Sequence, residues 1–213
     1  MKFQLRYGLH SIATGFRTLS WTCGLLCAVA AYGQESMRSF AVDTPSVHDP
    51  VMAFENGIYH LYSTGNGLSH YTSHDMKHWT GCRQGVITDI PQWTHDSVPG
   101  FTQHVWAPDI IQFNGRWYLS YVCSTFGKNT SAIGLLSKSS LNSDEPWHDE
   151  GCILASRGGR DNWNAIDPNV IVAQDGTPWL AFGSFWDGIQ LVRLDSSLHV
   201  APGERPFTIA RRY

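Results

Sequence analysis

The sequence predicts an all-β chain of the β-propeller type, and three observations carry that expectation. A pattern of about sixty residues recurs three times along the chain. Each copy holds an Asn-Gly or Asp-Gly pair between two apolar runs, the strongest short-range sign of a β-hairpin. Composition agrees: 20 Gly, 10 Pro and 9 Trp stand among 213 residues, of which only 15% are charged. Such a chain has too much aromatic and aliphatic surface to be disordered, and too few charged helix formers for a coiled coil. A net charge of −3 with no basic stripe excludes nucleic acid as a partner.

In chain order, the first feature is a leader. Lys2, Arg6 and Arg17 precede an apolar run from Leu19 to Tyr32, and no acidic residue occurs before Glu35. A basic start, a short apolar stretch and small residues at Ala31-Tyr32-Gly33 form the pattern of a cleaved secretory signal. Residues 1–33 are therefore expected to be removed, leaving 34–213 as a partial propeller domain that is secreted or periplasmic. The apolar run is short for a bilayer and broken by Thr22 and Gly24, so no membrane association is expected after cleavage. Cleavage takes three basic residues, Cys23 and Cys27, and leaves 12 basic against 18 acidic residues. Cys82, Cys123 and Cys152 remain, an odd number that permits at most one disulfide and does not say which. Their spacing is not that of a zinc site.

The repeats come next, as blades over about 46–100, 101–160 and 161–213. The first reads His48-Asp49-Pro50 and an apolar strand, Asn56-Gly57, then Ile58 to Ser63. The second reads Ala107-Pro108-Asp109 and a strand, Asn114-Gly115, then Trp117 to Tyr121. The third reads Ile166-Asp167-Pro168 and a strand, Asp175-Gly176, then Trp179 to Phe182. Third strands are expected over 68–73, 133–137 and 189–194, and outer strands near Trp79 and Trp147. Pro- and Gly-rich stretches at 91–100 and 158–160 link the blades. Aligned on Asp, the copies begin at Asp49, Asp109 and Asp167. The first strand of a propeller blade lines the channel, so these carboxylates are expected to gather at one mouth. Converging carboxylates are costly unless solvated, hydrogen-bonded or catalytic. For Asp109 the expectation is a structural tie to neighbouring backbone amides.

Five segments then match a known pattern: His48-Asp49-Pro50, Trp106-Ala107-Pro108-Asp109, Ser124 to Asn129, Asn164-Ala165-Ile166-Asp167-Pro168, and Gly183-Ser184-Phe185-Trp186-Asp187-Gly188. Together they resemble the five-bladed propeller glycosidases of glycoside hydrolase family 43, and among them the endo-1,5-α-L-arabinanases. The match runs from about Val47 to the last residue. It implies an inverting glycosidase acting on internal α-1,5 bonds of arabinan, with Asp49 as general base. Asp167 is implied as the carboxylate that orients the general acid and holds up its pKa. Trp106 and Phe126 are implied to stack on sugar rings, and Asn164 and Ser184 to hydrogen-bond hydroxyls. Gly134 would let backbone approach the sugar, while Phe185 and Trp186 shape the wall. Arabinan or its oligosaccharides would be the partner of a monomeric protein.

Two departures follow. The family's acid is a Glu at the start of the next inner strand, and the repeat puts that position beyond Tyr213. Glu35, Glu55, Glu145, Glu150 and Glu204 stand at no equivalent place, the last three being read as loop residues. Three blades of five are present, so the expectation is a truncated, inactive representative of a longer enzyme. The resemblance implies no cofactor for the chemistry, with a structural calcium ion in the channel of the full-length protein. His70, His74 and His78 recur every fourth residue, but in a strand-then-loop segment where that spacing makes no metal face. Asn129-Thr130-Ser131 matches a glycosylation acceptor. Two alternatives remain: a non-catalytic carbohydrate-binding propeller, and a relative acting as β-xylosidase or α-L-arabinofuranosidase. A pure binder has no need of two carboxylates that repel each other.

Overall fold

Three antiparallel sheets follow one another along the chain in this computed structural model, which describes residues 39–212. The expected leader lies outside the described residues. The first sheet is built from β1 (Ser39–Val42), β2 (Val51–Glu55), β3 (Ile58–Ser63), β5 (Ser69–Ser73) and β6 (Trp79–Cys82), in the order β1-β6-β5-β3-β2. A two-residue strand, β4 (Gly65–Asn66), leaves it to join the second sheet. That sheet comprises β7 (His104–Phe113), β8 (Arg116–Cys123), β9 (Ser131–Lys138) and β10 (His148–Ser156), in the order β10-β9-β8-β7-β4. The third holds β11 (Asn169–Val172), β12 (Pro178–Phe182), β13 (Ile189–Arg193) and β14 (Phe207–Ala210), in sequence order. These are three blades of the propeller type.

Local chemistry explains the hairpins. Asn56 and Gly57, and again Asn114 and Gly115, all take positive φ, which a two-residue turn between twisted strands requires. The third hairpin departs from that reading. Its connection runs from Ala173 to Thr177, only Gly176 is left-handed, and the Asp175 carboxylate accepts the Thr177 N–H at 2.9 Å. Two elements have no counterpart in the repeat: β1 pairs with β6 as a fifth strand, and α1 (Gln92–Ser97) fills the linker after the first blade. β14 is the outer strand of the third blade, equivalent to β6 and β10. Glu150, read as a loop residue, lies on β10 and accepts a hydrogen bond from Ser137 at 2.6 Å.

Alternation along the central blade builds two cores from one sheet. Every residue of β9 is buried. Ala132 and Leu136 face a cluster with Tyr62, Leu68 and Val105 towards the first blade. Ile133 and Leu135 face another with Val170, Leu180 and Phe182 towards the third. The first and third sheets keep exposed apolar side chains, among them Met52, Phe54, Ile171, Phe207 and Ile209.

Polar ties cross the same joints. Glu55 accepts from Trp117 Nε1 at 2.8 Å, Ser140 Oγ at 2.6 Å and the Asn142 N–H at 3.2 Å. Burial pushes the Glu55 pKa up, but these hydrogen bonds outweigh it and hold the carboxyl below its ordinary range. Beside it, His60 shares a proton with His70 (Nδ1 to Nε2, 3.2 Å) and reaches Asn142 Oδ1 at 2.8 Å. One imidazole must donate and the other accept, so the two stacked rings are not both protonated.

Burial first, then the charges of His60 and Lys138, depress the His70 pKa to about 3. Its folded value therefore lies below the unfolded one of about 6.5, so the stability it contributes is present at neutral pH and lost as pH falls from about 6.5 towards 3. Thermal unfolding is expected at a lower temperature at pH 5 than at pH 7. In His70→Phe that difference should shrink. An unchanged difference would remove the histidine pair as its cause.

Candidate active site

A residue with positive φ followed by proline stands directly ahead of β2 and of β11, and at an irregularity near the start of β7. These residues are Asp49 (φ 50°), Ala107 (φ 23°) and Asp167 (φ 54°), ahead of Pro50, Pro108 and Pro168. Left-handed backbone is costly for residues with a Cβ and is least so for Asp and Asn. This corrects the register read from sequence. Ala107, not Asp109, is the counterpart of Asp49 and Asp167, and the channel mouth takes two repeat-start carboxylates rather than three. Asp109 lies two residues further on, within β7. Its Oδ2 accepts the Val170 N–H at 2.8 Å and its Oδ1 the Asn169 amide at 3.3 Å. It ties the second inner strand to the third, as expected of a structural carboxylate. Desolvation raises its pKa against those hydrogen bonds.

Asp49 and Asp167 line one cavity of about 660 Å³ with His48, Thr64, His104, Trp106, Phe126, Ile166, Ser184 and Phe185. All hydrogen bonds to the Asp49 carboxylate from described residues arrive at one oxygen. Oδ2 meets His48 Nδ1 at 2.7 Å and accepts from Thr64 Oγ1 at 2.9 Å. Asp167 is held differently: desolvation first, then the negative charge of Asp49, raises its pKa. The two carboxyls thus sense each other across the cleft. Like charges sharing a site push one pKa up.

Two rings of the aromatic wall stand in water, and the third, Trp106, also packs against the core between the second and third blades. Phe126 is 95% exposed and Phe185 82% exposed, while Trp106 is half-buried with its indole N–H donating to His104 Nδ1 at 3.2 Å. Apolar rings left this open are unusual away from a binding surface. Phe185 and Trp186 sit at φ 55° and 36° in the loop from Gly183 to Gly188. Asp187 pins that strained loop, accepting from Thr208 Oγ1 at 2.6 Å and Arg211 Nη1 at 2.8 Å. Strain of this kind persists only where surrounding contacts over-determine it. Trp106, Phe126, Asn164, Phe185 and Trp186 also line an adjoining, strongly apolar hollow.

Two expected sugar contacts have other occupations. Asn164 is 2% exposed: its Oδ1 accepts from Ser131 Oγ at 2.7 Å and Ser156 Oγ at 3.5 Å, and its amide donates to the Lys128 carbonyl at 3.4 Å. Its polar atoms are engaged in joining the second and third blades. Gly134 lies buried in β9, where a Cβ would collide with the Tyr121 ring. It makes room for that ring within the blade, not for a ligand. Asn129 is also buried, donating to the carbonyls of Asp161 and Trp163, which removes it as an accessible acceptor for a glycan. Thr64, which the sequence pattern did not single out, is in the cavity. The signal was there: Thr64, Ser124 and Ser184 each follow a second strand at 60-residue intervals.

Among the described residues no group of three or more His, Cys, Asp and Glu side chains can hold a metal ion. His70 is stacked on Tyr62, and His78 pairs with Asp75 at 2.7 Å.

Comparison with known proteins agrees with this construction. The family model described as glycosyl hydrolases family 43 matches residues 42–212. An extracellular exo-α-(1→5)-L-arabinofuranosidase of Cellvibrio japonicus is 42% identical over 184 residues, covering 84% of this chain and 50% of the relative. An extracellular endo-α-(1→5)-L-arabinanase of Bacillus subtilis is 39% identical over 201 residues, covering 92% of this chain and 60% of the relative. The chain thus spans about half the length of the curated relatives it matches. An exo-1,5-α-L-arabinanase from a bovine ruminal metagenomic library superposes with a TM-score of 0.76 at 53% identity, over 80% of this chain and 57% of that one. The native Bacillus subtilis arabinanase gives 0.74 at 40% identity, over 80% and 58%. A matching family model over most of the described residues, a shared fold and relatives above 30% identity lead to one conclusion: the chain belongs to glycoside hydrolase family 43.

Proposed function

We propose that the full-length protein is an exported, inverting glycoside hydrolase that cleaves α-1,5-L-arabinofuranosidic bonds of arabinan, chiefly internal ones. The observation that carries this reading is the Asp49–Asp167 pair in a cleft walled by exposed aromatic rings. Two like charges add cost to a site that only binds neutral sugar, so the pairing favours chemistry over adhesion. Export is supported by the basic and apolar leader pattern and by the extracellular relatives.

In this reading Asp49 is the general base. It draws a proton from a water molecule, which attacks the anomeric carbon on the face opposite the departing sugar. Inversion needs room for that water, with base and acid carboxyls roughly 6.5–9.5 Å apart. Blades flanking a channel provide such a separation more readily than neighbours on one strand. The acid protonates the leaving oxygen and comes from outside the described residues. Of the described glutamates, Glu55 is tied up at the first blade joint, Glu145 by Ser139, Glu150 by Ser137 and Glu204 by Arg193. Asp167 is the carboxylate whose charge keeps that acid protonated. Trp106, Phe126 and Phe185 offer apolar faces to sugar rings, and Ser184 a hydroxyl. A second reading, release of sugars from chain ends, is favoured by the exo-acting names of two of the relatives. The sizes of the first products from linear arabinan separate the two.

Asp49→Asn in the full-length protein should lower hydrolysis of linear arabinan about 10²- to 10⁴-fold while arabino-oligosaccharides still bind. Equal loss of turnover and binding, measured by reducing-sugar release and calorimetry, would contradict the general-base role. Phe126→Ala should leave the melting temperature nearly unchanged, because the ring is 95% exposed. Oligosaccharide affinity should fall about 2- to 10-fold, the range of one aromatic contact. Unaltered affinity would remove Phe126 from the binding face.

A further inference from the structure

We infer that Thr64 is the positioning residue of the Asp49 carboxylate, selecting which of its oxygens does the chemistry and coupling it to the joint between the first two blades. This deepens the general-base reading of Asp49 and rests on it. Thr64 sits between the last residue of β3 and the first of β4, where the chain leaves the first sheet to pair with β7 of the second. Three hydrogen bonds fix it there. Its N–H donates to the His48 carbonyl at 3.0 Å, its hydroxyl accepts the Ala107 N–H at 2.9 Å, and the same hydroxyl donates to Asp49 Oδ2 at 2.9 Å.

The chemistry of a hydroxyl gives these contacts a direction. It has one proton and two lone pairs. With a lone pair occupied by the Ala107 N–H, the proton is left for the carboxylate, where a charge-assisted bond is strongest. Oδ2 then receives Thr64 from one side and meets His48 from the other. Oδ1 has no such partner among the described residues and is the oxygen left to accept a proton from water. A base loaded on one oxygen cannot spin its carboxyl group freely, which is what a near-attack geometry demands.

The second end of the bridge matters as much. Ala107 stands at φ 23° before Pro108, a conformation that alanine adopts at a cost. The Thr64 hydroxyl is the acceptor that holds its N–H there. Trp106, the half-buried aromatic of the cavity, is the preceding residue. One hydroxyl thus sets the carboxylate on the first blade and the backbone that presents an aromatic wall on the second.

The test compares Thr64→Val, which keeps the branched shape without the hydroxyl, and Thr64→Ser, which keeps the hydroxyl, in the full-length protein hydrolysing linear arabinan. Asp49→Asn is the reference. For Thr64→Val, kcat should fall about 10- to 100-fold with KM changed less than threefold. Thr64→Ser should recover to within about threefold of the parent. Amide exchange at Ala107 should quicken in the valine variant alone. The proposal is overturned if Thr64→Val keeps kcat within twofold of the parent while Asp49→Asn is inactive, or if Thr64→Ser is as impaired as Thr64→Val. If Asp49→Asn itself retains turnover, the general-base reading fails and this inference falls with it.

Discussion

Asp49 and Asp167 each begin an inner strand in left-handed backbone directly ahead of a proline, and the site depends on that constraint. Proline fixes the first residue of the strand and discourages ordinary helical geometry in the residue before it. The chain therefore arrives at the channel mouth by a turn that few side chains tolerate. Asp tolerates it better than most, which puts a carboxylate where the blades converge. At the middle blade the same turn is taken by Ala107, and there the strain is offset by the Thr64 hydroxyl. Strained starts of this kind would unwind in isolation. They are braced by the inter-blade bonds of Thr64 and Asp109 and by two apolar cores that share the central sheet.

Sequence revealed the architecture readily because propeller blades repeat their local chemistry. Asn-Gly or Asp-Gly turns, alternating apolar strands and a proline at each start recur about every sixty residues, and each carries a backbone requirement that can be read from residue type. It failed where geometry is not periodic. Aligning the copies on Asp instead of Pro slipped the second blade by two residues, because the requirement shared by the three blades is the turn and not the charge. β1 and α1 lie outside the repeat, in segments that its periodicity does not reach.

The residues read from sequence as sugar contacts divide along a physical line. Phe126 and Phe185 stand out in water at the rim of the cavity. Asn164 and Gly134 occupy motif positions that suggest sugar contacts, yet both serve packing: the amide satisfies buried hydroxyls, and the glycine yields space to Tyr121. Residue type alone does not distinguish a polar group turned outward from one consumed by the core. Thr64 was overlooked for the opposite reason. A threonine after a strand is ordinary until the residues that its hydroxyl bridges, 15 and 43 positions away, come together.

Inversion requires water to attack from the face opposite the leaving sugar, with Asp49 as its base. Proton NMR of the anomeric signals, recorded during the first turnovers of the full-length protein on an α-1,5-linked arabino-oligosaccharide, tests this directly. The β-anomer should appear first and the α-anomer only later, through mutarotation. First appearance of the α-anomer would mean retention through a covalent intermediate, and would contradict the role of Asp49 as general base.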